Sequence, residues 1–325
     1  MRMATAEPDP KPIPCELSIL IVVGDRHDPV EDVYTAYRDA LRGANRSYEF
    51  VYVLDGEFPD VATRLHELQA SGEPIVIVEL PRTFGESTAV TAGVEHCQAE
   101  SIMTLPAYLQ IAPEEVGKLA STEFDNNDMI VCRRWPRSDS LFNRTARRIF
   151  HWPIKWISGL DLHDLGCSAR LFRRRIFDEV RLYGDQHRFL PLLAYRQGFH
   201  VVEIDARQAP SDTSARLYSP RIYMERALDL LSMFFLIRFT RKPLRFFGLI
   251  GSVSFGFGSL MLLILGIQRL FFDIPLANRP VLLLASLLVV LGFQFFAIGL
   301  IGEIIIFTQS RATKEYTVEK VVRYD

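Results

Sequence analysis

The 325 residues are 49% hydrophobic, which is enough for one large folded domain or two smaller ones. With 37 lysines and arginines against 39 aspartates and glutamates, the net charge of -2 exerts no general attraction on nucleic acid, so we expect no nucleic-acid partner. The four cysteines form no CxxC pair, a pattern typical of buried free thiols and unlike a disulfide framework or a zinc site.

The first half of the chain alternates between strand-like and helix-like segments. Residues 1–14 are proline-rich and lack a long apolar run, which predicts a disordered leader and no signal peptide. Alternation over residues 15–140 predicts a Rossmann-like α/β domain, a mostly parallel sheet with helices on both faces. We predict strands at 17–23, 48–54, 74–80 and 101–105, and helices at 30–42, 61–70 and 87–96.

The loops that follow the predicted strands are the candidate binding loops. Parallel α/β sheets bind ligands beyond the carboxyl ends of their strands. The residues of interest in these loops are, in chain order, Asp25, Asp55, Gly56, Arg82, Gly85 and Gln110.

A basic and aromatic segment, residues 142–160, follows the alternating region. It mixes Arg147 and Arg148 with tryptophan and phenylalanine, which favours a helix lying in the membrane interface. An ordinary amphipathic helix packed on the sheet is the alternative interpretation.

Two long apolar segments end the chain. We predict transmembrane helices at about 246–268 and 280–306, joined as a hairpin within residues 241–310. Basic residues on both outer flanks predict a multi-pass protein with both termini in the cytosol and a cytosolic tail at 311–325. Glu303, near the end of the second span, is either a functional intramembrane carboxylate or a headgroup-level residue.

Several motifs, in one order, resemble those of a known family. Residues 164–174 (DLGCSARLFRR) resemble the DxGCxxR motif of the bacterial polyprenyl-phosphate glycosyltransferases of glycosyltransferase family 2, relatives of the dolichol-phosphate mannose synthases. Other family-like segments are 80–93 (RNxG…AG), 109–115 (the tail of DADLQ.PPEE), 188–194 (RFxPxLA) and 294–303, which is similar to the second membrane helix of the aminoarabinose transferase branch.

The resemblance implies an activity. A sugar would pass from a nucleotide sugar to a polyprenyl phosphate lipid at the cytosolic face of the inner membrane. Residues 15–140 would be the nucleotide-sugar-binding half, residues 141–240 the acceptor half, and Asp164 would lie near the reacting centre. The acceptor phosphate would be held by arginines, which bind phosphate bidentately: Arg133, Arg147, Arg148, Arg170 and Arg188.

A helix cap or a salt bridge is the alternative role for Asp164. Family members also suggest a homo-oligomer or a partner glycosyltransferase.

The chain departs from the family at its donor loops. The wider family binds Mg²⁺ or Mn²⁺ with the aspartates of its DAD motif, which align here with Pro106, Ala107 and Tyr108. Proline and tyrosine do not replace hard oxygen ligands, so we predict no metal site at this loop. The family's Pro-x-x-Asn-Glu after the first strand becomes residues 22–26, ending in Arg26.

Two explanations of these departures are open. In the first, the chain is a metal-independent transferase in which Arg26, or Arg133 with Arg134, neutralises the donor diphosphate. In the second, it is a pseudo-glycosyltransferase that acts as a partner or scaffold in lipid-linked glycan assembly. Residues 25–28 contain acids and a histidine that offer a substitute metal site, although Asp28 before Pro29 is more typical of a helix N-cap.

Overall fold

The computed structural model describes residues 15–136 except 45, 162–212 except 183 and 185, and 243–309 except 273, 274 and 276–279. These residues belong to two compact units, an α/β unit and a helical hairpin. The predictions for the leader, for the segment 142–160 and for the tail 311–325 lie outside the described residues.

The α/β unit is built on one sheet of seven strands. The strands are β1 (Leu17–Val23), β2 (Tyr48–Asp55), β3 (Ile75–Leu80), β4 (Ser101–Pro106), β5 (Met129–Arg134), β6 (Arg170–Arg173) and β7 (Val201–Ala206). The helices are α1 (Val30–Leu41), α2 (Pro59–Ala70), α3 (Glu86–His96), α4 (Pro113–Ser121), α5 (Ile176–Glu179) and α6 (Leu190–Arg196), with short 3-10 helices at Gln186–Phe189 and Pro210–Asp212.

The strand order is β3-β2-β1-β4-β6-β5-β7. Strand β6 is antiparallel to both of its neighbours, and every other pair is parallel. Because β6 reverses the direction twice, β5 and β7 run the same way as β1 to β4. The carboxyl ends of six strands and the start of β6 therefore meet at one edge of the sheet, which we call the carboxyl edge.

Burial on both faces explains the strand sequences. Strands β1 and β2 read as nearly continuous apolar runs, LSILIVV and YEFVYVLD, and almost all of their residues are buried. This is the pattern of a parallel sheet that helices cover on both sides. Helix α1 buries one stripe, formed by Val33, Tyr34, Tyr37 and Leu41, against one face. The predicted mostly parallel α/β sheet is confirmed, with one antiparallel strand added.

The hairpin consists of α7 (Pro243–Phe272) and α8 (Pro280–Gln309). Each has 30 residues, about 45 Å of helix, and both are long and apolar enough to cross a membrane. Both extend a few residues beyond the predicted spans. The Oε2 atom of Glu303 accepts a hydrogen bond from the backbone nitrogen of Leu244 at 3.4 Å, so this carboxylate satisfies a free N–H group in the first turn of α7.

The cysteine thiols give a first testable prediction. Cys97, Cys132 and Cys167 are buried, and burial raises the pKa of Cys97 and of Cys167 to about 12. Because the thiolate is the reactive form, we expect these thiols to resist Ellman's reagent at pH 8 in the folded protein. Burial also raises the pKa of the Cys15 thiol, but Cys15 is the one cysteine of the four that is only half-buried, so it should give the one fast phase, and Cys15→Ser should remove it. Two or more fast thiols would contradict the described core.

Candidate functional site

The predicted donor loops leave the sheet side by side. Val23 pairs with Leu54, and Val22 with Pro106, so β1, β2 and β4 end at the same level. Asp55 likewise pairs with Leu80 at the end of β3. This is the edge at which parallel α/β sheets bind their ligands.

Four charged side chains form a continuous network at the carboxyl edge. Arg134, at the end of β5, donates from Nε and Nη2 to the two carboxylate oxygens of Asp164 at 2.7 and 2.8 Å. Its Nη1 donates to Oδ2 of Asp212 at 3.0 Å, and the other oxygen of Asp212 accepts from Nη2 of Arg26 at 2.9 Å. We call Arg26, Asp212, Arg134 and Asp164 the arginine–aspartate network.

The inner part of this network is buried. The side chains of Arg134, Asp164 and Asp212 are only 7%, 3% and 1% exposed. Burial opposes the charged form of Arg134, but the hydrogen bonds and charge of Asp164 outweigh it and raise the pKa of the guanidinium. The alternative predicted for Asp164, a salt bridge with an arginine, is therefore what the structure contains. A direct role for Asp164 in the reaction stays a prediction.

Arg26 is the accessible end of the network. Its side chain is 48% exposed, and its guanidinium carbon lies 3.6 Å from the centre of the Tyr108 ring. At this distance a guanidinium over an aromatic face is held by a cation–π interaction. Tyr37 donates its hydroxyl toward the backbone oxygens of Pro106 and Tyr108, which fixes the loop that presents the ring.

The residues at the end of β4 do not fit a divalent cation. Pro106 and Ala107 have no oxygen in their side chains, and burial raises the pKa of Tyr108, which keeps its hydroxyl neutral. The nearby carboxylates of Asp164 and Asp212 are already paired with arginine. Within the described ranges, no group of three or more histidines, cysteines, aspartates or glutamates is arranged to hold a metal.

The segment 25–28 behaves differently from its predicted roles. Pro29 is the N-cap of α1 and no side chain caps the helix, so the predicted N-cap role of Asp28 is wrong. The Asp28 carboxylate instead accepts from the backbone nitrogen of Leu109 at 3.4 Å, which ties the β1 loop to the β4 loop. His27 contacts the carbonyl oxygen of Gly24, and Asp25 is exposed.

Asp55, Gly56 and Gly85 shape the next loops. The carboxylate of Asp55 accepts from the backbone nitrogens of Phe84 and Gly85 at 2.7 and 3.0 Å. Gly56 has a φ of +126°, and a Cβ there would lie 2.8 Å from Oγ1 of Thr83, so only glycine fits. These contacts make Asp55 a positioning residue for the β3–α3 loop, which carries the exposed Arg82 over the ring of Phe84.

Gln110 joins the β4 loop to the loop before β6. Its Nε2 donates to the carbonyl oxygen of Gly166 at 3.1 Å, and its Oε1 accepts from the backbone nitrogen of Ser168 at 2.8 Å. The amide is therefore engaged within the protein. Gln110 holds the segment that contains Asp164 against the sheet edge.

The predicted acceptor arginines occupy different environments. Arg170 is buried and donates to the carbonyl oxygens of Cys167, His187, Leu165 and Arg188, which favours a structural role over phosphate binding. Arg133 forms a bidentate pair with Asp205 on β7. Arg188 is exposed, and its guanidinium makes no hydrogen bond or salt bridge with the residues that the structure describes, although its charge helps to lower the pKa of Glu86. Arg147 and Arg148 lie outside the described residues.

Comparison with known proteins identifies the family. The model of the family "Glycosyl transferase family 2" matches residues 18–181. The chain belongs to glycosyl transferase family 2.

Relatives within family 2 match nearly the whole chain. The undecaprenyl-phosphate 4-deoxy-4-formamido-L-arabinose transferase of Pseudomonas fluorescens is 31% identical over 321 residues, which are 96% of this chain and 92% of the relative. The protein of the same name from Klebsiella pneumoniae is 31% identical over 312 residues, 95% of this chain and 94% of the relative.

A solved structure shares the fold of this family 2 protein. Glucosyl-3-phosphoglycerate synthase from Mycobacterium tuberculosis, in complex with Mn²⁺ and uridine-diphosphate-glucose, superposes with a TM-score of 0.51 at 12% identity. The match covers 68% of this chain and 79% of that one. The α/β unit is thus a mostly parallel sheet of GT-A type.

Sequence reasoning missed Asp212, which links the two arginines of the network. Strand β7 was not predicted, so nothing indicated that residues 207–212 return to the carboxyl edge. The available signal was the apolar alternation of VVEIDA, after which a polar loop is expected at that edge.

Proposed function

We propose that this family 2 protein transfers a sugar from a nucleoside-diphosphate donor to a polyprenyl phosphate at the cytosolic face of the inner membrane. The observation that carries the proposal is the match, over 96% of the chain, to relatives named for transfer to undecaprenyl phosphate. Two helices that are long and apolar enough to cross a membrane support a lipid acceptor.

The chemistry requires little acid–base help. A phosphate oxygen of the lipid attacks the anomeric carbon of the sugar, and the bond from that carbon to the diphosphate oxygen breaks. The nucleoside diphosphate leaves with the electron pair, and no proton has to be removed because the acceptor is already an anion. The protein's task is to orient the two substrates and to stabilise the negative charge that develops on the leaving group.

The direct test is transfer by the purified full chain. The protein, in detergent micelles with undecaprenyl phosphate, is incubated with a panel of nucleotide sugars, and the lipid is analysed by mass spectrometry. We expect one donor to add its sugar mass to the lipid phosphate, with none when the lipid is omitted. No product from any donor, from folded protein that binds the lipid, would contradict the proposal.

The second candidate is a pseudo-glycosyltransferase that supports a partner enzyme in lipid-linked glycan assembly. The observation in its favour is that the residues after β4 provide no carboxylate, while the nearby aspartates are paired with arginine. This candidate predicts lipid or partner binding without transfer. The transfer assay therefore separates the two functions.

Arg188 offers the clearest test of acceptor binding. Removing an exposed guanidinium that binds phosphate costs about 1.5–3 kcal/mol, roughly a tenfold to hundredfold loss in affinity. We expect Arg188→Ala to weaken binding of undecaprenyl phosphate in mixed micelles by about this factor, as measured by titration calorimetry. Arg181→Ala, at another exposed arginine of the same segment, is the matched control. Equal affinities in the two variants would remove Arg188 from the acceptor site.

A further inference from the structure

The loops after β1 and β4, which lack the acidic residues of the family motifs, carry two residues that contact each other, Arg26 and Tyr108. By the motif resemblance given above, Arg26 takes the place of a family glutamate after the first strand, and Tyr108 takes the place of the last aspartate of DAD. In the structure these two replacements touch, with the guanidinium carbon 3.6 Å from the ring centre. Random substitutions in an inactive protein would not be expected to place the guanidinium of Arg26 on the face of the Tyr108 ring.

The guanidinium of Arg26 is held in place on one side and keeps donors available on the other. Asp212, which is almost fully buried, binds Nη2 at 2.9 Å, and the Tyr108 ring supports one face of the group. The Nε and Nη1 atoms make no hydrogen bond to the residues that the structure describes, and the side chain is 48% exposed. A pre-oriented guanidinium with free donors matches two oxygens of a phosphate group, and it stays charged at every physiological pH.

The net charge of the arginine–aspartate network equals that of a metal site with two aspartates. Two aspartates with one divalent cation carry no net charge, and the arginine–aspartate network, with two arginines and two aspartates, carries none either. In this chain, however, the positive charge belongs to side chains. A donor diphosphate that approaches the carboxyl edge therefore meets a fixed cation beside the loop in which the motif resemblance places the family's metal ligands.

We infer that Arg26 binds the diphosphate of the nucleotide donor in place of a divalent cation, with Tyr108 and Asp212 as its positioning residues. This inference rests on the proposed function, because it concerns the donor of that reaction. As the bond between the anomeric carbon and the diphosphate oxygen breaks, the electron pair stays on the diphosphate. The free donors of Arg26 stabilise the charge that builds up there.

The test is nucleotide binding by the full chain, measured by titration calorimetry in EDTA and then in Mn²⁺. The probes are UDP, GDP, CDP and ADP. We expect the parent to bind one of them equally well in both buffers, and Arg26→Gln to lose about tenfold or more. Arg42→Gln is the matched control, because Arg42 is an exposed arginine at the opposite end of α1. Arg26→Lys should have an intermediate affinity, since lysine keeps the positive charge but lacks the paired N–H donors of the guanidinium.

A rescue variant separates a binding role from a structural one. Adding Pro106→Asp and Tyr108→Asp to Arg26→Gln should restore nucleotide binding in Mn²⁺ only, because the family's carboxylates then return. Thermal unfolding verifies that each variant is folded. Parent binding that requires Mn²⁺, or unchanged binding in Arg26→Gln, would overturn the inference and leave donor binding intact. A folded parent that binds no nucleotide in either buffer would overturn the proposed transfer and this inference together.

Discussion

Replacing Arg134 with methionine is expected to lower the melting temperature of the α/β unit by on the order of 10 °C. The substitution removes the cation between Asp164 and Asp212, whose side chains are 3% and 1% exposed. Two buried carboxylates then lose their main charge partner, a change that costs about 3–5 kcal/mol in other proteins. Thermal unfolding of the full chain in detergent, followed by circular dichroism, measures the shift.

The neighbouring arginine provides the control. Arg133 is on the same strand and also forms a bidentate pair, but its partner Asp205 is about half exposed. Exposed pairs contribute about 1 kcal/mol or less, so Arg133→Met should shift the melting temperature by only a few degrees. Similar shifts in the two variants would show that the network is not buried as described.

A double-mutant cycle isolates the pair itself. Asp164→Leu should destabilise the unit because it leaves Arg134 short of a partner. In the double variant Arg134→Met/Asp164→Leu, the charge and its counter-charge disappear together, so the combined loss should be smaller than the sum of the single losses. Additive losses would mean that each residue acts through other contacts.

The first half of the fold was predictable because its pattern is simple. Each strand from β1 to β4 is an apolar run that is separated from the next by one amphipathic helix, and the predicted bounds lie within two residues of the observed ones. A buried parallel strand leaves a continuous apolar signal that is hard to mistake when helices alternate with it. The same regularity placed the predicted donor loops at the carboxyl ends of these strands, but their donor-binding role stays a prediction.

The second half gave no such signal. Strand β6 has four residues and begins and ends with arginine, so neither a continuous run nor an alternation marks it. Its role depends on long-range pairing with β4 and β5, and such pairing is not visible in a local window. The family motif identified the importance of residues 164–174 but not the reversal of chain direction that they contain.

Site residues were predicted by position better than by role. Asp55, Gln110 and Arg170 lie at or near the carboxyl edge, yet their polar atoms bind the protein's own backbone. A motif shows which residues a fold needs, but it does not distinguish a ligand contact from a loop support. For Arg26 the sequence offers the charge as a candidate, but the support of its guanidinium by Tyr108, a residue 82 positions away in the sequence, is visible only in the fold.

Replacing Gly251 with leucine is expected to separate the two helices of the hairpin. A Cβ at Gly251 would lie 2.7 Å from the carbonyl oxygen of Gly292 and 2.9 Å from the backbone nitrogen of Phe296. These obstacles are backbone atoms, so no rotation of a side chain can make room. Close approach through small residues is how membrane helices pack, because lipid provides no hydrophobic force that holds them together. The overpacking should cost about 3 kcal/mol or more, a shift of over a hundredfold in the population of the closed hairpin.

Cross-linking measures this separation directly. Ser254 donates its hydroxyl to the carbonyl oxygen of Leu288 at 3.0 Å, so cysteines introduced at these two positions should be joined by a short thiol cross-linker and identified by mass spectrometry. We expect efficient cross-linking in the parent and almost none after Gly251→Leu. Gly256→Leu is the matched control, since Gly256 lies on the same helix and a Cβ there meets nothing within 4 Å. Because both substitutions replace glycine with the same strong helix former, a loss of cross-linking in both would point to a general effect of leucine. Loss in Gly251→Leu alone follows only if the helices touch backbone to backbone at that residue.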